Sequence, residues 1–371
     1  MRVPFVDLKA QYQSHREQID AAIAAVIDAS AYVGGEFVRT FEGQFAAACG
    51  TTFCIGCGNG TDAIYVVLRM LGVGVGDEVI TTAMSWISTS ETISQAGATP
   101  VFVDVDRFYG IDASLIESRV TRRTRAIIPV HLYGQPADMD PIVAIAAKHD
   151  LLVIEDCAQA HLATLNGRGV GTFGVAGTFS FYPAKNLGAY GDAGAIVTSD
   201  AQLAERARMY ANHGGLVKHE HVIEGLNSRL DGLQAAILTA KLARLREWTD
   251  RRSAVAAMYT ERLRDVAEVA TPQVRAGAAH VYHLYVVQAC ERERLREHLR
   301  SLGIETQIHY PRPLPFLPCY SPLAASAVDF PTAAMMQSKI LSLPMYAELT
   351  ERQIDHVTSS IRGFYRSGGR R

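Results

Sequence analysis

LLVIEDCAQAH, residues 151–161, begins as an apolar, β-branched run and ends in acids and amides. A strand buried on both faces has this composition, and here it would deliver Glu155, Asp156, Gln159 and His161 at its carboxyl end. A helical stretch, Pro141–His149, precedes it, and RAIIPVHLYG (125–134) is a further apolar run before that. Toward the N-terminus lie TPVFVDVD (99–106), DEVITTA (77–83) and TTFCIGC (51–57); toward the C-terminus lie GTFSFYP (177–183) and GAIVTSD (194–200). Helical segments such as Thr61–Leu71 intervene, and Gly76-Asp77, Gly97 and Gly110 supply breaks. This alternation predicts an α/β domain with a largely parallel sheet covered on both faces. Ligands of such sheets sit outside the carboxyl ends of the strands, so chemistry is expected there.

From about Gly232 the texture changes. Leu233, Ala236, Ile237, Ala240 and Leu245 repeat at helical spacing toward Trp248, and a second helical stretch runs through Val266. A strand (HVYHLYVVQA), a helix over Leu295, Leu299 and Leu302 stopped by Gly303, and a strand (IETQIHY) are expected next. The Pro-rich loop PRPLPFLPCYSP then leads to two more helices. The last opens on a Thr350–Gln353 capping box and buries Ile354, Val357 and Ile361. The expected division is a large domain over 1–250 and a smaller α+β domain over 251–371, with the tail SGGRR fraying.

Composition limits the partners. The 371 residues include 36 Lys+Arg against 38 Asp+Glu, a formal charge of −2, so no basic field favours nucleic acid or an anionic membrane. No run approaches a membrane span, and the N-terminus lacks the apolar core of a signal peptide. Six scattered cysteines form no disulfide framework, so a cytoplasmic, reducing location is expected. Cys54 and Cys57 make a C-x-x-C, but no second pair completes a tetrahedral metal site; they read as the end of a buried strand, and no metal is expected.

Three motifs bear on chemistry. GCGNGTDA (56–63), between a strand and a helix, combines glycines with a helix start and so suits an anion, although an ordinary tight turn reads the same way. It satisfies neither the dinucleotide fingerprint nor the Walker pattern. The acid at Asp156 either caps a following helix or is a buried carboxylate that needs a cationic partner. In GTFSFYPAKNLGAYGDAG (177–194), Lys185 lies in a Gly- and aromatic-rich loop, with the Ser180 hydroxyl just before it. A lysine in such a loop is either a solvated charge or an amine of lowered pKa able to condense with an aldehyde. An anion cradle, a strand-end aspartate and a loop lysine are together the three groups that pyridoxal 5'-phosphate (PLP) requires. Trp86, after another strand end, either stacks on such a ring or fills the core.

GNGTDA, PVHLYGQPADMD, IEDCAQAH, FSFYPAKNLGAYGDAG, NSRLDGLQAAIL and IHYPRP occur in this order. Together they resemble the DegT/DnrJ/EryC1/StrS family of PLP-dependent nucleotide-sugar aminotransferases over nearly the whole chain. The resemblance implies PLP fold type I (aspartate aminotransferase-like): a mixed, mostly parallel seven-stranded sheet, a smaller C-terminal α+β domain, and a homodimer with shared active sites. By position, Lys185 matches the Schiff-base lysine and Asp156 the partner of the pyridine nitrogen. Gln159 matches the neighbour of the phenolic oxygen, Trp86 the stacking aromatic, and Gly60, Thr61 and Ser180 the phosphate ligands. Asn227 matches an asparagine reaching that phosphate from the other subunit.

The activity implied is transamination in two halves, with glutamate as amino donor and a nucleotide-linked keto-sugar as acceptor. EDCAQAH with KNLGAYGD is similar to the subset that converts dTDP-3-keto-6-deoxyhexose to dTDP-3-amino-3,6-dideoxyhexose. Members acting at C4 more often carry histidine at the place of Gln159. Lys218, His309 and Tyr310 are the substrate-side candidates, with an exposed loop residue as the alternative for each. The sequence departs from the common pattern at Leu226, at Ala193 and in LVKHEHVIEG. Amination at C4 and a non-catalytic PLP-binding regulator are the competing readings.

Overall fold

The computed structural model describes residues 1–366; the tail SGGRR lies outside the described residues. Seven strands form the main sheet: β1 (Phe53–Cys57), β2 (Glu78–Thr82), β3 (Thr99–Val103), β4 (Thr124–Ile128), β5 (Leu152–Asp156), β6 (Ala176–Ser180) and β7 (Gly194–Thr198). Their order is β1-β7-β6-β5-β4-β2-β3. Only β7 runs against its neighbours; the other pairings are parallel. Val153 and Ile154 of β5 are buried, as a two-sided strand requires. Cys54 and Cys57 lie buried on β1, where burial raises both thiols above their ordinary pKa.

The crossovers between strands put helices on the sheet. In α1 (Gly60–Met70), Asn59 at the N-cap accepts from the Asp62 amide at 2.8 Å. Val66, Val67 and Leu68 are fully buried, each worth roughly 1.5–3 kcal/mol of apolar burial. Next come α2 (Ser88–Gln95) and α3 (Met139–Lys148), the latter close to the expected Pro141–His149. The mixed, mostly parallel seven-stranded α/β sheet expected from the sequence is the one observed.

The C-terminal part departs from expectation in three places. The long helical pattern is broken: α4 (Gly232–Leu242) ends and α5 (Leu245–Leu263) begins across Ala243 and Arg244, ahead of Trp248. The apolar phase continues because Leu238 and Leu245 enter the same core cluster from two helices. HVYHLYVVQA is a strand only over its second half. Its first half crosses to the turn after β4, where the Val281 amide bonds the Gly134 carbonyl. The segment IETQIHY makes single bridges only, whereas Ile340–Leu343, for which the sequence reading named no strand, is one.

The small antiparallel sheet is therefore β8 (Val269–Ala270), β9 (Tyr285–Ala289) and β10 (Ile340–Leu343). Around it pack α5, α6 (Arg292–Ser301) and α7 (Glu351–Arg366). The capping box opens α7 as read: Thr350 and Gln353 bond each other's amide, and Ile354, Val357 and Ile361 are fully buried. Val3 bridges Ile304 and joins this second core, so the chain start packs with the C-terminal elements. No helix among the described residues is long and apolar enough to cross a membrane. All six cysteines are free thiols.

Candidate active site

A cavity of about 490 Å³ opens where the carboxyl ends of the strands meet the segments around Phe5, His283 and His309. Its wall includes Gly60 and Thr61 after β1, Trp86 after β2, Asp156 at the end of β5, Ser180 at the end of β6, and Lys185. The parallel sheet explains this convergence, since each crossover returns the chain to the same edge.

The anion end is built by α1. Its first amides have no partner inside the helix, and the helix dipole is positive there. Gly60 is required by packing: a Cβ at that position would lie 2.7 Å from Ser180 Cβ. The contact brings the Ser180 hydroxyl of β6 beside the first turn of α1. Thr61 Oγ1 is held 2.6 Å from Ser88 Oγ, which ties the cradle to α2.

The acidic end is Asp156. Its Oδ1 accepts from the Ala158 amide at 3.1 Å, and its Oδ2 from Thr89 Oγ1 at 2.7 Å. Burial pushes this carboxyl above the usual range, while those two donors, Lys185 and His131 oppose the rise. Behind it, Glu155 points to the other face of β5 and is completely buried. Glu155 Oε1 accepts from the amides of Phe173 (2.7 Å) and Gly174 (2.8 Å). Its Oε2 accepts from the Gly171 amide at 2.8 Å and from His131 Nε2 at 3.0 Å. His131 Nδ1 accepts from the Ala137 amide, so the ring proton is assigned to Nε2. His131, Glu155 and Cys157 bring possible metal-ligating atoms within 4.8 Å of one another. Each of those atoms is engaged in a hydrogen bond, Cys157 Sγ with the Glu155 carbonyl.

Lys185 stands in a loop tied down on both flanks. Its amide bonds Tyr182 O, and the Ala189 amide returns to Phe181 O, each at 2.8 Å. On one side Asn186 donates to Val281 O and meets His283 Nδ1. On the other, α4 reaches over: Gln234 accepts from the Tyr190 amide, and Lys241 Nζ donates to Gly188 O. A side chain at Gly188 would put Cβ 2.3 Å from Pro183 O, so the loop admits none. Burial lowers the Lys185 amine from 10.5 to about 8, against the partial support of Asp156. That brings a nucleophilic, unprotonated amine into reach near neutral pH.

Gln159 Oε1 accepts from the Tyr133 amide at 2.7 Å, and its Nε2 donates to Tyr310 Oη at 3.0 Å. The amide is therefore oriented, and it leads from the strand end to Tyr310. Trp86, 58% exposed, tilts against Tyr310 with ring centroids 5.7 Å apart. His309 stacks on Phe5, and its Nδ1 is hydrogen-bonded to Ser342 Oγ at 2.8 Å. Burial depresses it to about 4, and it depresses His283 further, so both are neutral donors or acceptors at working pH.

The cavity thus unites Gly60, Thr61, Trp86, Asp156, Gln159, Ser180, Lys185, His309 and Tyr310. Two expected residues are not among its lining. Asn227 is exposed, its backbone bridged to Asn212, and Lys218 is exposed on the adjoining loop. Sequence reasoning overlooked Ser85, Ser88 and Thr89, the hydroxyls flanking Trp86 in MSWISTSET. The signal available was their position directly after a strand end. Phe5 and His283 were also missed, because they come from the chain start and from the segment before β9, far in sequence from the strand ends.

The donor set fits PLP. The amides of a helix start with hydroxyls beside them suit a phosphate, a carboxylate held by two donors suits a protonated ring nitrogen, and an amine of lowered pKa suits an aldehyde.

Comparison with known proteins agrees. The description DegT/DnrJ/EryC1/StrS aminotransferase family matches residues 13–362. A pleiotropic regulatory protein of Geobacillus stearothermophilus is 46% identical over 99% of both chains. A dTDP-3-amino-3,4,6-trideoxy-alpha-D-glucose transaminase of Streptomyces venezuelae is 44% identical, over 97% of this chain and 96% of that one. A UDP-N-acetyl-3-dehydro-alpha-D-glucosamine 3-aminotransferase of Acidithiobacillus ferrooxidans is 43% identical over 97% of each. The crystal structure of S. venezuelae DesV in complex with ketimine intermediate superposes with a TM-score of 0.96 over 98% of both chains, at 44% identity.

Proposed function

This chain belongs to the DegT/DnrJ/EryC1/StrS aminotransferase family, and we propose that it aminates C3 of a dTDP-linked 3-keto-6-deoxyhexose, giving a dTDP-3-amino-3,6-dideoxyhexose, with glutamate as donor. It is a PLP-dependent sugar aminotransferase of fold type I. The observation carrying the specific reading is Gln159, an oriented amide at the strand end linked to Tyr310, where a C4-directed site more often has histidine.

PLP, when bound, supplies an aldehyde to carry the amino group and an electron sink for the carbanion at the reacting carbon. The first turn of α1 with Thr61 and Ser180 would hold its phosphate, Trp86 its ring face and Gln159 its phenolic oxygen. Asp156 would keep a proton on the ring nitrogen, because an ionised, desolvated carboxylate favours a cation beside it. Lys185 Nζ, with its pKa near 8, would take a proton from the reacting carbon and return it, a task that suits a group titrating near working pH. His309 and Tyr310 would face the sugar, where uncharged groups discriminate hydroxyls by hydrogen bonding.

A homodimer with shared sites is part of this reading. No arginine lines the cavity among the described residues, so a donor carboxylate needs a cation from elsewhere. Asn227 and Lys218 are exposed and unused by their own chain's cavity, which suits delivery to a neighbour. The division into 1–250 and 251–371 is kept as part of the proposal, with its seam inside α5 and the chain start packed on the second part. Free, mostly buried thiols suit a reducing cytoplasm.

The test is incubation of the purified protein with glutamate and either dTDP-3-keto-6-deoxyglucose or its galacto isomer, with UDP-linked 3-keto-sugars in parallel. Mass and NMR identify the product. A 3-amino-dTDP-sugar is expected. Amination of the UDP sugars alone would overturn the nucleotide, and amination of a 4-keto-sugar alone would overturn the carbon. The absence of any turnover with PLP and glutamate present would favour the regulatory reading.

A further inference from the structure

A line of hydroxyls on and before α2 reaches the carboxylate at the centre of the site. Ser85 Oγ lies 2.9 Å from Thr89 Oγ1, which lies 2.7 Å from Asp156 Oδ2. Thr89 is completely buried and Ser85 nearly so, yet Ser85 also borders the cavity. A buried helical threonine commonly bonds back to a carbonyl one turn earlier, as Thr92 does to Ser88 O at 2.8 Å. Thr89 instead reaches from α2 to β5.

Proton counting fixes the direction of this line. An ionised carboxylate only accepts, so the single Thr89 proton goes to Asp156. The Thr89 oxygen can then only accept from Ser85, so the Ser85 proton points at Thr89. Other groups face Asp156 as well: the Ala158 amide on Oδ1, Lys185 from the loop after β6, His131 from the segment after β4, the adjacent Cys157, and Tyr310 from the segment after Ile304. The Ala158 donor is main chain. Thr89 is therefore the side-chain hydroxyl bonded directly to the carboxylate.

We propose that Ser85 and Thr89 are positioning residues, a one-way relay that keeps Asp156 ionised and aimed at the cofactor's ring nitrogen. The proposal rests on the reading of Asp156 as the partner of that nitrogen. The relay adds to the Ala158 amide a second charge-assisted donor, whose benefit is lost once the acid is neutral. Burial alone would favour the protonated acid, which cannot stabilise a pyridinium.

The experiment compares Thr89→Val, Thr89→Ser, Ser85→Ala and Asp156→Asn in the full-length protein. Three quantities are read: PLP affinity of the apoprotein by titration, kcat against KM for the amino donor, and the acid limb of the kcat–pH profile. Removing a hydrogen bond to a charged group costs about tenfold or more. Thr89→Val is expected to weaken PLP binding and lower kcat by about that factor, with donor KM little changed. Its acid limb should move to higher pH, because losing the donor raises the Asp156 pKa. Thr89→Ser, which keeps the hydroxyl, should stay within about threefold of wild type, and Ser85→Ala should fall between.

Equal losses in Thr89→Val and Thr89→Ser with an unmoved acid limb would reduce Thr89 to a packing residue and overturn the relay. A wild-type Thr89→Val beside a collapsed Asp156→Asn would overturn the relay and leave the Asp156 reading standing. An Asp156→Asn protein with wild-type PLP affinity and turnover would remove both. If Thr89→Val fails to fold, Ser85→Ala decides: no change in PLP affinity or acid limb overturns the relay.

Discussion

Replacing Glu155 with glutamine tests how the catalytic edge of the sheet is held. In the wild type, four donors converge on this buried carboxylate: the amides of Gly171, Phe173 and Gly174, and His131 Nε2, all within 2.7–3.0 Å. Glutamine keeps the volume but turns one oxygen into an NH₂ group. Whichever oxygen is lost, two donors then face a donor, and the two remaining bonds lose their charge assistance. Two buried donors left unsatisfied cost about 1–3 kcal/mol each, so a loss of about 4 kcal/mol is expected. The relaxation open to the protein is small, because the Gly171–Gly174 turn packs tightly on β5: a Cβ at Gly174 would lie 2.1 Å from Val153 O. Urea unfolding of the apoprotein, with the second variant His131→Asn and the double variant, would measure the term and its coupling. The Glu155–His131 pair should show an interaction energy of about 1 kcal/mol or more, since both ends are fully buried. A Glu155→Gln change of less than about 1 kcal/mol would refute the reasoning, and would mean that the turn finds water or other partners for its amides.

Three further outcomes are expected. Lys185→Ala should abolish the visible absorbance of the holoprotein and reduce turnover by about 10²–10⁴-fold or more, as loss of a general acid–base requires; absorbance and steady-state kinetics check it. Gly60→Ala should leave the fold intact but weaken PLP binding of the apoprotein by about tenfold, because its Cβ would stand 2.7 Å from Ser180 Cβ and push the cradle open; titration with PLP measures it. Lys185 and Lys241 are both lowered by burial from 10.5 to about 8, so between pH 8 and 10.5 the unfolded chain binds more protons than the native apoprotein. Stability should therefore rise with pH across that window, and Lys241→Met should remove about 1.4 kcal/mol per pH unit from the slope, read by urea unfolding at several pH values.

Much of the site was legible because it is built from strand ends. Asp156, Ser180 and the Gly60–Thr61 turn each follow an apolar run that marks a strand, and a parallel sheet must bring such ends together. Lys185 stood out as a candidate by its loop of glycines and aromatics, but those surroundings left a solvated charge open, and the match to the family's motif favoured the amine. Thr89 was not, since a threonine inside a helix looks the same in sequence whether it bonds its own helix or a carboxylate on β5. The break between α4 and α5 was hidden because both helices bury the same apolar phase. The strand Ile340–Leu343 was missed because it is short, and its pairing with Tyr285–Gln288 lies more than fifty residues away.

The alternation of apolar runs and helical stretches was enough, by itself, to indicate an α/β sheet and the edge where chemistry gathers, and the motifs at those strand ends offered residue types able to hold a phosphate, a ring nitrogen and an aldehyde. These follow from local periodicity and from side-chain chemistry, both of which are written along the chain. Only the tertiary structure decided how those groups are tuned. Burial lowers Lys185, Glu155 is saturated by a turn sixteen to nineteen residues on, Asp156 is gripped by a hydroxyl sixty-seven residues earlier, and His309 is kept neutral. Desolvation and long-range hydrogen bonds set those properties, and both depend on which segments meet in space, which spacing along the chain does not encode.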